Sequence, residues 1–225
     1  MMQRIYWESG IKWKAMMNGV LVLCALFSVA VVPAIESGGT VSRFAESISG
    51  KCVSFDYVYT MDRSGLIMSG EGSVVFQNDS FVLNGNGLEV SCDGKDRWTV
   101  DRNAHEAVVE SADPENPDYF SYPVLIARDV DRVFAVESEV MSEFNGNEAI
   151  RVTLKPAVAF GNVISAEIFF FRDELVPCGL VLVLDDGTEV EMAFSGFSVV
   201  SGTDRSRFSF DPDSLGEDYI VTDLR

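Results

Sequence analysis

The chain has 225 residues, 47% of them hydrophobic, and carries 35 acidic against 17 basic side chains for a net charge of −18. So acidic a chain lacks the clustered lysine and arginine that neutralise phosphates, which weighs against nucleic acid as a partner. With one histidine and four cysteines it is also poor in metal ligands and nucleophiles.

Residues 1–34 read as a secretory leader. Arg4, Lys12 and Lys14 precede an apolar run from Met16 to Val32, and Val32-Pro33-Ala34 offers a cut after Ala34, with Ala30 as an alternative. An uncleaved anchor is the competing reading, since the run of about 17 residues sits at the lower limit for a bilayer span. A lipoprotein signal through Cys24 is a third, disfavoured by Leu23 before it. Cleavage removes three of the 17 basic residues and one of the 35 acidic ones, leaving 14 against 34, a net −20. Residues 35–225 then form one domain by length. The charge reads first as a solubility device, and second as attraction to a basic partner face. Cys52, Cys92 and Cys178 remain. They allow one disulfide or buried free thiols, and no CxxC pair exists.

Thr40 to Ser49 predicts a short amphipathic helix with Val41, Phe44, Ala45 and Ile48 on one stripe. The period then changes to two. Val53, Phe55, Tyr57, Tyr59 and Met61 alternate through one strand, and Met68 to Phe76 make the next. Gly70 and Gly72 within that second strand imply a bend, a bulge or close backbone approach. Strands at Phe81–Leu83 and Leu88–Cys92 flank the doubled turn signal Asn84-Gly85-Asn86-Gly87. Trp98 and Val100 follow Asp93-Gly94, and Glu106 to Glu110 is a further short strand. A stretch with three prolines leads into a helical pattern from Tyr119 to Val130, where Pro123 allows one helix or two. Strands resume at Val133–Val136, Ile150–Leu154 and Val163–Phe171. Leu180–Leu184 and Thr188–Phe194 form a hairpin on Asp185-Asp186-Gly187, for which a primed turn is expected. Phe208 and Phe210 are expected on one face of a last strand ended by Pro212.

The fold expected is mainly β with some helix: a single curled antiparallel sheet of ten or eleven strands forming an incomplete barrel, with short helices over its concave apolar face. The run Ile168-Phe169-Phe170-Phe171 puts aromatics on both faces of one strand, so both faces should be covered.

The ordered segments FDYVYTM, GEGSVVF, a strand at Phe81, DGKDRWTVD (with Val100 at the family's tyrosine place), the Asp-Gly hairpin and FSFDP resemble the LolA family of periplasmic lipoprotein carriers, most closely its Bacteroidetes-type branch. The resemblance implies an incomplete barrel whose cavity takes the acyl chains of lipoproteins in transit from inner to outer membrane. It implies an inner-membrane releasing transporter and an outer-membrane acceptor as partners, periplasmic localisation, and a monomer without cofactor. Cavity candidates are Phe55, Tyr57, Tyr59, Val74, Phe76, Leu83, Val90, Trp98, Ile168, Phe170, Leu182, Val190, Met192 and Phe194. The residues leave open which parity of each strand faces inward. One departure matters: Gln77-Asn78-Asp79 stands where better-studied members have a K-R-P stretch whose arginine helps hold the lid, so that role does not carry over.

Enzyme chemistry is not expected. His105 lies in a polar turn with no second histidine for a metal or triad. Asp211, Asp213 and Asp218 fail the calcium-loop pattern, because Leu215 and Thr222 fill liganding places. A non-transporting lipid- or lipoprotein-binding sensor of the same fold is the alternative to a carrier.

Overall fold

Hydrophobic alternation over short, turn-punctuated segments builds one twelve-stranded sheet. The computed structural model describes residues 39–113, 122–157, 163–202 and 204–225. The expected leader, its cleavage site and the start of the Tyr119–Val130 pattern lie outside the described residues.

Helix α1 (Thr40–Ile48) leads into β1 (Cys52–Arg63), β2 (Leu66–Gln77), β3 (Ser80–Gly85), β4 (Leu88–Cys92), β5 (Asp96–Asp101) and β6 (Glu106–Ser111). A 3-10 turn, Pro123–Leu125, runs into helix α2 (Ile126–Val133). Then come β7 (Phe134–Phe144), β8 (Asn147–Pro156), β9 (Val163–Phe171), β10 (Pro177–Leu184) and β11 (Glu189–Val200), and the chain ends with β12 (Ile220–Asp223). The spatial order is β12-β6-β5-β4-β3-β2-β1-β11-β10-β9-β8-β7, so β7 is bare on one side among the described residues. No helix of the described residues is long and apolar enough to cross a membrane.

Tight turns set the registers. Ser64-Gly65, Asn86-Gly87 and Asn145-Gly146 all have positive φ at both residues, the primed geometry that matches strand twist. At the β10–β11 hairpin only Gly187 is positive, which corrects the expected primed turn. Leu184 and Thr188 close a three-residue loop there, with Gly187 in the left-handed position.

One side of every strand from β1 to β4 and β8 to β11 turns to a common core. Val53, Phe55, Val74, Phe76, Ile168, Phe170, Leu180, Leu182 and Phe194 pack there against Val41, Phe44 and Ile48 of α1 and Ile126 and Val130 of α2. Phe44 meets Phe170 edge-on at 5.4 Å between ring centroids. α1 has no side-chain cap of its own; the Glu139 carboxylate of β7 accepts from the Thr40 backbone N–H (2.9 Å) and hydroxyl (3.0 Å), satisfying an orphan donor of the first turn. The other face of β9 is covered too: Phe169 packs on Phe144 at 4.6 Å. Phe144 lies flat over Gly179, where a β-carbon would sit 2.2 Å from the ring. Cys52, Cys92 and Cys178 are buried free thiols.

Three expectations need correction. Val133 ends α2 and opens no strand. Phe208 and Phe210 do not form a strand: Asp204 and Asp211 accept from Ser206 N and Asp213 N, and these local bonds wind the chain into 3-10 turns. Phe208 is buried in its turn, while Phe210 packs on Trp98 at 5.0 Å. The last strand is β12, and it pairs with β6 in parallel, so the sheet is not wholly antiparallel. All four residues of β12 are exposed, so they carry no apolar alternation for the eye to find.

A candidate apolar cavity under the helices

A mainly apolar opening lies where β1, β3, β4 and β11 face the segment entering α2. Tyr57, Tyr59, Leu83, Val90, Val190 and Met192 line a cavity of about 190 Å³ with Met61, Gly85, Asn86, Leu88, Tyr122 and Val124. Its geometry begins with two glycines. Tyr57 pairs with Gly72 and Tyr59 with Gly70 across β1–β2, so each ring leans over a residue without a side chain. A β-carbon on Gly72 would lie 2.5 Å from the Tyr57 hydroxyl and 2.3 Å from the Asn84 carbonyl oxygen. On Gly70 it would lie 2.8 Å from Cε1 of Tyr59. Gly72 itself pairs with Gly85 of β3, which clears the same space from the next strand. The glycines expected to mark close approach are therefore seats for the two tyrosines.

Gly72→Ala is expected to destabilise the protein by about 1–3 kcal/mol, because the methyl meets a backbone oxygen that cannot rotate away. At a few degrees per kcal/mol, the melting temperature should fall by roughly 2–12 °C. An unchanged melting temperature would show that the sheet relaxes freely here.

The cavity's polar groups are few. The Tyr59 hydroxyl accepts from Asn86 Nδ2 at 2.8 Å. Tyr57 is 7% exposed, and burial, with Tyr59 beside it, pushes its phenol up to about 12. Tyr122 reaches Thr99 through paired hydroxyls 3.4 Å apart.

The roof is fastened to the sheet by aromatic and cationic contacts. Arg97 of β5, ion-paired with Glu110 at 2.5 Å, lies 5.3 Å from the centre of the Tyr122 ring. Arg128 of α2, paired with the buried Asp129, lies 5.8 Å from the Phe81 ring of β3. Arg132 also reaches Asp129 at 3.2 Å. Gln77, by contrast, donates to the Gly50 carbonyl at 3.0 Å, and Asn78 adopts positive φ in a hairpin turn. The contacts that hold this roof thus come from Arg97, inside the DGKDRWTVD segment, and from Arg128 of α2, to neither of which the sequence assigned that role.

The structure places the fourteen sequence-derived candidates in three groups. Six, from Tyr57 to Met192 above, line the cavity. Phe55, Val74, Phe76, Ile168, Phe170, Leu182 and Phe194 are buried in the core on the same concave side. Trp98 is a correction: Thr99 faces the cavity side through Tyr122, so its neighbour faces the other way and packs on Phe210. Met61 was legible, since it continues the alternation of Phe55, Tyr57 and Tyr59. Leu88 was legible too, two residues before Val90 on β4, while Asn86 belongs to a turn whose direction only the register reveals. His105 is half exposed; its Nδ1 meets Asp218 Oδ2 at 2.6 Å and its ring stacks on Tyr219 at 5.1 Å, fastening the approach to β12.

No family model and no curated protein matches the sequence. Solved structures similar to it include an uncharacterized conserved protein from Thermus thermophilus, 10% identical, covering 84% of this chain and 99% of that one with a TM-score of 0.52. A DUF1329 family protein from Desulfovibrio piger is 11% identical, covering 79% and 96%, with a TM-score of 0.46. A LolA superfamily protein from Nitrosomonas europaea is 7% identical, covering 80% and 98%, with a TM-score of 0.39. The Thermus chain shares the fold along almost its whole length, and at such identity the likeness concerns the fold alone.

Proposed function

We propose that the protein is a periplasmic carrier that shelters the acyl chains of lipoproteins in water between the inner and outer membranes. The observation that carries this reading is the apolar cavity between the concave face and the segment that enters α2. The cargo, the transporter that releases it and the acceptor that receives it are what the resemblance of the sequence segments to lipoprotein carriers implies.

Magnitudes favour a cavity that opens. Small-molecule sites usually measure about 300–1,000 Å³, so about 190 Å³ holds only part of a long acyl chain. The rest becomes available when the 122–133 segment lifts and the core beneath it is uncovered. Each buried methylene contributes about 0.8 kcal/mol. Full burial of several chains would hold cargo too tightly to release. Breaking the Tyr122 and Arg128 contacts offsets part of that gain and leaves the net affinity moderate.

The test is transfer. Inner-membrane vesicles carrying a labelled lipoprotein, with its releasing transporter and ATP, should yield a soluble complex with this protein that then delivers label to outer-membrane vesicles. Binding without delivery would assign the fold to a non-transporting module. Absence of both binding and delivery would overturn the acyl-chain reading.

A further inference from the structure

We propose that the cavity selects acyl chains with a neutral hydrogen-bond-accepting head, an ester or an amide, over chains that end in a carboxylate or phosphate. The proposal rests on the acyl-chain reading above and concerns what the chain is attached to.

None of the twelve lining residues carries a charge near neutral pH; the polar ones are Tyr57, Tyr59, Tyr122 and Asn86. The Tyr57 hydroxyl is the informative group. It belongs to a side chain more than nine-tenths buried, it borders the cavity, and it has no hydrogen-bond partner among the described residues. It is seated beside Gly72 and Gly85, where any side chain would displace it. A phenolic donor at the wall of an otherwise apolar cavity gains a partner when the ligand brings an acceptor there, and gains none from an apolar ligand. Its raised pKa keeps the proton on the oxygen through any physiological range. Tyr59, two residues along with its ring centre 6.5 Å away, accepts from Asn86 and keeps its own proton to donate. A carbonyl oxygen has two lone pairs and suits two phenolic donors of this kind. An anionic head would bring a charge into the same place without a cation to meet it, which is costly. The arginines at the roof are already engaged: Arg97 with Glu110 and Arg128 with Asp129. The protein's net charge of −18 repels the anion further.

Displacement of an environment-sensitive dye at pH 8 tests this with lauroyl glycerol, laurate and lauryl phosphate, which share one chain length. The glycerol ester should compete at a concentration about tenfold below either anion. Tyr57→Phe should weaken the ester by about threefold to tenfold and leave laurate unchanged, so the preference collapses. Tyr59→Phe gives a second reading should the first variant fold poorly, as judged by circular dichroism. Laurate or lauryl phosphate competing as well as the ester would overturn the proposal, as would a preference that survives in both phenylalanine variants. If none of the three ligands displaces the dye, the acyl-chain reading fails and the selectivity with it.

Discussion

Replacing Phe44 with alanine is expected to lower the melting temperature by roughly 6–20 °C and to speed dye uptake into the cavity. Phe44 is 1% exposed and ties α1 to the sheet through Phe170 at 5.4 Å and Phe197 at 5.9 Å. Truncating a buried phenylalanine costs about 3–5 kcal/mol, and a domain of this size loses about 2–4 °C per kcal/mol. α1 has only nine residues, too few to hold a helix in water by propensity. Its order depends on this docking, so losing the ring should free the helix. Calorimetry gives the stability and stopped-flow fluorescence gives the uptake rate. A large fall in melting temperature with an unchanged uptake rate would make α1 a structural cover and leave gating to the 122–133 segment.

The second large effect is expected at Leu88. It lines the cavity yet is 41% exposed, so it stands at the mouth. Leu88→Trp should fill the opening and weaken acyl-ligand binding at least tenfold, since indole occupies the volume the chain needs. Because the new ring projects from a half-open site, stability should change by no more than about 0.5 kcal/mol. Leu88→Ala, which widens the mouth, should bind at least as well as the unaltered protein. If tryptophan leaves affinity intact, the ligand sits elsewhere, and the groove between α1 and β11 bounded by Phe44, Leu175 and Phe197 is the next place to look.

Much of this architecture was readable from the period-two alternation. The pattern from Val53 to Met61 identified β1 and the residues that share one of its faces, while which face turns inward came only with the structure. β9 was legible end to end, and its consecutive phenylalanines told correctly that both faces are covered. What escaped was decided by contacts distant in sequence. β12 is four exposed residues held by a parallel neighbour and by His105, neither of which leaves a local signature. Phe208-Ser209-Phe210 has strand spacing, yet the flanking Asp204 and Asp211 offered the backbone nearer partners. Trp98 was assigned to the cavity as one of the strand aromatics, while its parity put it behind the sheet. The role of the roof arginines was invisible for another reason: Arg97 and Arg128 lie far apart in the chain, and the rings they cover, Tyr122 and Phe81, are likewise distant from them in sequence.

Among the described residues one flank of β7 is unpaired, and this bears on how copies of the protein treat one another. Eleven residues of open backbone would ordinarily invite another strand, and repeated addition is how ribbons and fibrils grow. Here the strand carries Glu137, Glu139 and Glu143, and only Glu139 is occupied by α1. Two such flanks meeting antiparallel would bring carboxylates into register, which like charges oppose. At the opposite end of the sheet, β12 offers only four residues as a template. Among the described residues, both ends of the sheet are therefore poor templates for the addition of another strand.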